Sequence, residues 1–145
     1  MSYFVKDYMI QEVNIIDYEA TVTDAAKVMA TDKNYEGYVI VLKKGKPIGI
    51  ITERDMVNKV LAEELVPSKI GISTIMSAPL ITFDPEDDLL QAPKLMQKHN
   101  VRKLVVIKNN IIYGVISAKC IAQRCGDYVD KSIKDIIRWT GPLGI

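Results

Sequence analysis

Apolar and polar positions along this chain fall into short blocks that change period. Residues 14–16, Asn-Ile-Ile, read as a short apolar strand. Thr21-x-x-Asp24 follows in capping-box form and opens a helix through Met29. Residues 39–42 are a continuous apolar run of the kind a buried strand carries. Residues 43–47, Lys-Lys-Gly-Lys-Pro, break it with turn chemistry, and residues 48–52 make the next strand. From Glu53 on, Met56, Val57, Val60 and Leu61 recur at helical spacing and predict one apolar helix face.

The same order returns. Placing residues 5–9 over 72–76, an offset of 67, carries Asp17 onto Asp84, Glu19 onto Glu86, Ala25 onto Ala92, Lys27 onto Lys94 and Met29 onto Met96. A two-residue deletion changes the offset to 65. Residues 39–41 then fall on 104–106, and Gly49-Ile50-Ile51-Thr52 falls on Gly114-Val115-Ile116-Ser117. Register kept over this length indicates two related halves. In the second half residues 80–83 are the first strand, Asp88-x-x-Gln91 is the cap, and residues 101–108 and 111–117 form a hairpin about Asn109-Asn110. Pro93 fits poorly, because it lacks an N–H where the helix is already running. That helix is expected to start late or bend.

Pro67-Ser68-Lys69 marks the boundary, which predicts domains at 1–67 and 68–127 and a C-terminal helical tail at 128–145. In the tail Val129, Ile133, Ile136 and Ile137 share one helical face, ending near Trp139. It reads as a docking helix over apolar surface or as a contact for another chain.

Composition narrows the class. The chain has 145 residues and is 48% hydrophobic and 26% charged, which excludes disorder and low complexity. A domain of this length buries roughly 68–70% of its unfolded surface, so the core needs no staples. Nineteen Lys and Arg against eighteen Asp and Glu leave no broad basic field for nucleic acid. No apolar run approaches a membrane span, and residues 1–7 hold an acid and a base where a signal peptide is apolar, so a cytoplasmic protein is expected. Cys120, Cys125 and the single His99 do not have metal-ligand spacing, and no nucleophile–base pair is visible. No metal, no required cofactor and no enzymatic activity are expected.

The halves resemble two CBS domains in tandem, a Bateman module. The resemblance rests on Gly49-Ile50-Ile51-Thr52-Glu53-Arg54-Asp55, on Tyr38-Val39-Ile40-Val41 before it, and on Met9 with its strand, cap and helix, all echoed in the second half. It covers about residues 5–127. It implies an α+β fold of two βαββα repeats packed sheet to sheet about a pseudo-twofold axis, and a homodimer of such modules.

A ligand site follows from residues 52–55. A strand ends and a helix begins there, so unpartnered N–H groups favour an anion. Thr52 adds a hydroxyl, and Asp55 is an acceptor for both hydroxyls of a ribose. The same T-x-x-D is equally a capping box. The resemblance implies that the Asp binds ribose and faces the other half. There Arg102 and Lys103 hold the basic positions that meet phosphate in AMP-binding relatives, and Ser77, Leu80 and Thr82 match positions near adenine and sugar. The candidate ligand set is therefore Thr52, Arg54, Asp55, Ser77, Leu80, Thr82, Val101, Arg102 and Lys103. Arg102 and Lys103 read equally as a solvated pair at a strand start.

The counterpart site is degenerate, comprising Ser117, Cys120, Val13, Ile15, Gly37 and Tyr38. It has a thiol in place of the acid, and Glu36 opposes a phosphate. One competent site per chain is expected. The function expected is a regulatory sensor of AMP, ADP or ATP, signalling through rearrangement of a homodimer to a protein partner acting in trans. The alternative is a scaffold or an RNA/DNA-binding CBS pair, against which the near-neutral charge argues.

Overall fold

A computed structural model of the chain describes residues 3–125, with Cys125 defined by its backbone. The tail expected at 128–145 lies outside the described residues. The chain divides into two compact units, one formed by residues 13–80 and the other by described residues 3–12 and 81–125.

In the 13–80 unit, β1 (Ile15–Asp17) pairs parallel with β2 (Tyr38–Lys43), and β2 pairs antiparallel with β3 (Lys46–Thr52). Val39, Ile40 and Val41 are buried, as the unbroken apolar run requires. The turn is tighter than expected. Lys44 and Gly45 alone close it with φ of +51° and +77°, the left-handed pair that matches strand twist. Pro47 instead lies inside β3 opposite Leu42, at a register shift where a missing N–H disturbs the ladder least.

The α1 helix (Val22–Ala30) opens on the predicted capping box. Asp24 N–H donates to Thr21 Oγ1 at 3.2 Å, and Thr21 N–H donates to Asp24 Oδ2 at 3.0 Å. After β3 comes α2 (Glu53–Met56), a single turn that widens into a π turn at Val57–Leu61. There Ala62 N–H donates to Val57 O at 2.8 Å and Leu65 N–H to Val60 O at 3.0 Å. Five-residue spacing rotates the predicted apolar face out of register. Val60 is buried and Met56 half-buried, but Val57 and Leu61 are 51% and 63% exposed.

The other unit repeats the plan. β4 (Thr82–Phe83) pairs parallel with β5 (Lys103–Lys108), and β5 pairs antiparallel with β6 (Ile111–Ser117) across Asn109-Asn110, both at positive φ. Asp88 Oδ1 accepts from Leu90 N–H at 3.0 Å and caps a 3-10 turn, Leu89–Gln91. Only then does α3 (Ala92–His99) begin, with Pro93 in its first turn, where a missing N–H leaves no helical bond unmade. The helix thus starts late, as Pro93 implied. α4 (Ala118–Cys125) follows β6.

The leading segments are exchanged. Residues 4–10 open the first repeat in sequence but pack with residues 81–125: Ile10 bridges to Val115, Phe4 to Asp88, and Val5, Met9 and Ile10 join a core with Leu89, Met96, Leu104, Ile116 and Ile121. Residues 70–77 open the second repeat but pack in the 13–80 unit. Ser77 bridges to Ile50, Gly71 to Thr21, and Ile72 and Ile75 join Val22, Ala25, Val39, Val41, Ile51 and Val60. Pro67–Lys69, where the sequence repeat turns over, is a 3-10 turn inside that unit.

Two glycines make the exchange fit. A Cβ on Gly49 meets Met76 Sδ at 2.7 Å and Ser77 O at 3.0 Å; a Cβ on Gly114 meets Ile10 O at 2.5 Å and Met9 Sδ at 2.9 Å. The incoming methionine lies directly over each glycine. A thioether can swing aside, whereas the Ile10 and Ser77 carbonyls are each backbone in a two-way bridge, and the Ile10 carbonyl lies nearer its Cβ, at 2.5 Å against 3.0 Å. Gly114→Ala should therefore destabilise by about 2 kcal/mol and Gly49→Ala by about 1 kcal/mol, as measured by urea unfolding. An equal or reversed order would show that segment packing does not select these glycines.

Candidate functional site

The strand-to-helix junction at residues 52–55 is closed on itself. Asp55 Oδ2 accepts from the Thr52 N–H at 2.9 Å and from its hydroxyl at 3.2 Å, while Asp55 N–H donates to Thr52 Oγ1 at 3.3 Å. Asp55 Oδ1 holds the Lys59 ammonium at 3.1 Å. Lys59 in turn donates to Ile75 O at 2.9 Å. The carboxylate, whose side chain is 13% exposed, is thus fixed by a cap on one oxygen and a cation on the other. The capping-box reading of T-x-x-D is realised. It leaves one lone pair on Oδ1 beyond the one Lys59 uses.

The second unit builds the same junction from different chemistry. Ser117 N–H donates to Cys120 Sγ at 3.2 Å, and Cys120 N–H donates to Ser117 Oγ at 2.9 Å. The thiol is buried and lies 3.9 Å from Tyr8 O. Arg124 donates to Met9 O at 2.8 Å and Tyr8 O at 3.5 Å. Under the offset of 65, Arg124 stands where Lys59 stands, and both grip the carbonyls of an exchanged segment. Sequence reasoning missed this basic pair, although the repeat register aligns it.

The candidate residues divide between the units. Thr52, Arg54, Asp55, Ser77 and Leu80 belong to residues 13–80, whereas Thr82, Val101, Arg102 and Lys103 belong to the other unit. Thr52 and Asp55 are bonded; Arg54 and Ser77 are exposed, and Ser77 is placed by its backbone bridge to Ile50; Leu80 is half-buried. Val101, Arg102 and Lys103 are half-buried at the entry to β5, and Thr82 is exposed on β4. Within its own unit Arg102 O accepts from Ala118 N–H at 3.0 Å, and Lys103 is in register with Ser117. In the same way Gly37 O accepts from Glu53 N–H at 3.0 Å, and Tyr38 is in register with Thr52. Each unit therefore gathers one cap and one strand entry.

Among the degenerate-set residues, Val13 is half-buried, Ile15 is exposed, and Gly37 and Tyr38 are buried. A polar loop holds them. Asp32 accepts from Asn34 N–H at 2.9 Å and Glu36 N–H at 2.9 Å, and Asn14 donates to Tyr38 O at 3.1 Å and Tyr38 Oη at 3.3 Å. Gly37 takes φ +62°, and a Cβ there would lie 2.6 Å from the Glu53 side chain. Glu36, expected to oppose a phosphate, is 6% exposed. Burial pushes the Tyr38 hydroxyl up to about 12; the Asn14 N–H opposes this, and the Asp32 and Glu36 carboxylates add to it.

Among the described residues no group of three or more His, Cys, Asp or Glu side chains is arranged to hold a metal ion, and no helix is long and apolar enough to cross a membrane.

The CBS-domain profile matches residues 5–62 and 72–126, so the chain belongs to the CBS-domain family. It is 38% identical over 86 residues to MK0525 of Methanopyrus kandleri, a match covering 59% of this chain and 44% of that protein. The chain thus spans less than half the length of that relative. Its fold is similar to that of the CBS domain protein TA0289 of Thermoplasma acidophilum, with TM-score 0.81, 18% identity, and coverage of 94% of this chain and 75% of that one. It is also similar to PAE2072 of Pyrobaculum aerophilum, whose structure is complexed with AMP, with TM-score 0.75, 23% identity, and coverage of 91% and 95%.

Asp32 gives the loop a pH signature. Burial raises its carboxyl, but the N–H groups of Asn34 and Glu36, the Asn14 side chain and the Gly37 N–H outweigh burial and hold it below its ordinary 3.8. A lowered folded value gives stability that is present above the unfolded value and lost as pH falls through the folded one. Asp32→Ala should cost about 1 kcal/mol at neutral pH, with the gap to wild type closing in urea titrations carried down to about pH 2. A gap that is constant with pH would exclude this charge as its source.

Proposed function

We propose that the chain is a regulatory CBS pair that binds an adenine nucleotide and has no catalytic activity of its own. In this reading Asp55 takes one ribose hydroxyl on the open lone pair of Oδ1, Thr52 and Arg54 flank it, and Ser77, Leu80 and Thr82 border the base and sugar. Arg102 and Lys103, with Val101 beside them, supply the positive charge for phosphate. The observation that carries the reading is the held carboxylate at Thr52–Asp55, set against the thiol in the same geometry at Ser117–Cys120. A buried, neutral thiol offers a diol far less than a carboxylate, so binding at one site per chain follows. PAE2072, complexed with AMP, supports the ligand class.

Signalling proceeds by differential binding to two arrangements of the module, which a partner in trans reads. Exposed Val57, Leu61, Leu65 and Val66 along the π turn and beyond it favour a homodimer. The protein is placed in the cytoplasm on the character of its sequence. Scaffolding or nucleic-acid binding is the second reading, and a near-neutral charge of +1 disfavours tight polyanion binding.

Calorimetry with AMP and with ATP tests the site. Asp55→Asn, which keeps an acceptor for the cap, should weaken binding about tenfold or more. Arg102→Ala should weaken ATP binding and flatten its dependence on salt. Cys120→Asp should leave the primary event intact. Equal heats for wild type and Asp55→Asn would reject the assignment.

A further inference from the structure

Lys59 has no part in the ligand set, yet it joins two elements that the sequence separates. Its ammonium sits 3.1 Å from Asp55 Oδ1 and 2.9 Å from the Ile75 carbonyl. Ile75 belongs to residues 70–77, the segment that bridges to β3 through Ser77 and Ile50 before the chain leaves for the other unit at residue 81. The second unit repeats half of this device. Arg124 donates to Met9 O and Tyr8 O of its own exchanged segment, but the neighbouring position is Cys120, with no carboxylate for the guanidinium to share. Both repeats thus staple the exchanged segment to the cap helix with a basic side chain. Among the described residues, the 13–80 unit alone ties that staple to a carboxylate.

We propose that Lys59 is a positioning residue that couples Asp55 to the exchanged segment. It holds Asp55 in the orientation that receives a ligand, and it makes the bonding of residues 75–77 depend on what Asp55 binds. The second half of this statement rests on the nucleotide reading above; the staple itself does not. The physics is a shared donor. An ammonium has three N–H bonds, of which two are directed at Oδ1 and the Ile75 carbonyl. A ribose hydroxyl donating to the open lone pair of Oδ1 draws on the same carboxylate charge, so the ammonium's bond to Oδ1 weakens and its balance shifts toward the carbonyl. Arg124 stands beside a thiol in place of that carboxylate and is not coupled to a ligand in this way.

The test is amide hydrogen exchange by NMR on the full chain, with and without AMP, together with calorimetry. In the absence of nucleotide, Lys59→Met should speed exchange at the Ile50 and Ser77 amides about tenfold, with Lys59→Arg close to wild type. Arg124→Met should do the same at Ile10 and Val115 and leave Ile50 and Ser77 unchanged. With AMP, wild type should gain protection at Ser77, and Lys59→Met should lose that gain and bind about tenfold more weakly. Arg124→Met should bind AMP as wild type does. Unchanged exchange in Lys59→Met without ligand overturns the staple. Wild-type affinity together with a wild-type protection gain in Lys59→Met overturns the coupling. If wild type binds no AMP, the nucleotide reading and the coupling fall together, while the ligand-free exchange still decides the staple.

Discussion

The reciprocal bond between Thr52 and Asp55 determines where a negative charge sits at the point where β3 becomes α2. A carboxylate on a free surface samples several rotamers and carries a full hydration shell. Here one oxygen takes two donors from Thr52 and the other takes Lys59, so the group is held before any ligand arrives. Preorganisation of this kind lowers the ordering cost of binding. The same bonds also stabilise the helix start, which is why the structural and the functional readings of T-x-x-D are not rivals. One oxygen serves the cap, and the other has acceptor capacity left.

That junction is set in place by packing further back along the chain. Gly49 and Gly114 admit the methionine of an exchanged segment against the strand that leads to each cap, and the segment's backbone then bridges to that strand. Each unit consequently depends on residues that open the other sequence repeat. Without Ile72 and Ile75 the core under α1 and β3 is incomplete, and without Val5, Met9 and Ile10 the core under α4 is incomplete. The cap, the glycine and the incoming turn form one local machine, built twice.

Much of this was legible in the residues. The two offsets located the βαββα order, the Thr21–Asp24 cap, the Asn109-Asn110 hairpin and the difficulty at Pro93, because each has a local physical signature. The exchange of leading segments was not legible. Residues 5–9 and 72–76 are apolar enough to enter either core, and a repeat pattern does not say which copy a segment packs against. The π turn at Val57–Leu61 was hidden for a related reason, since apolar spacing of three and four fits an α-helix equally well. Of the site, the T-x-x-D junction and its Ser-x-x-Cys counterpart could be read directly. Lys59, Arg124 and the Asp32 loop were missed: the four-residue spacing of Asp55 and Lys59 and the repeat register offered a signal, but the remaining partners are backbone carbonyls and N–H groups that side-chain patterns do not reveal.

The difference between Asp55 and Cys120 converts two copies of one junction into one with a carboxylate and one without. The most direct test is a crystal structure of the protein grown with AMP. The account predicts nucleotide density with a ribose hydroxyl in hydrogen-bond range of Asp55 Oδ1 and the Thr52–Asp55 cap intact. Density seated instead at Ser117 and Cys120, or nucleotide bound with Asp55 still engaged only by Thr52 and Lys59, would contradict it.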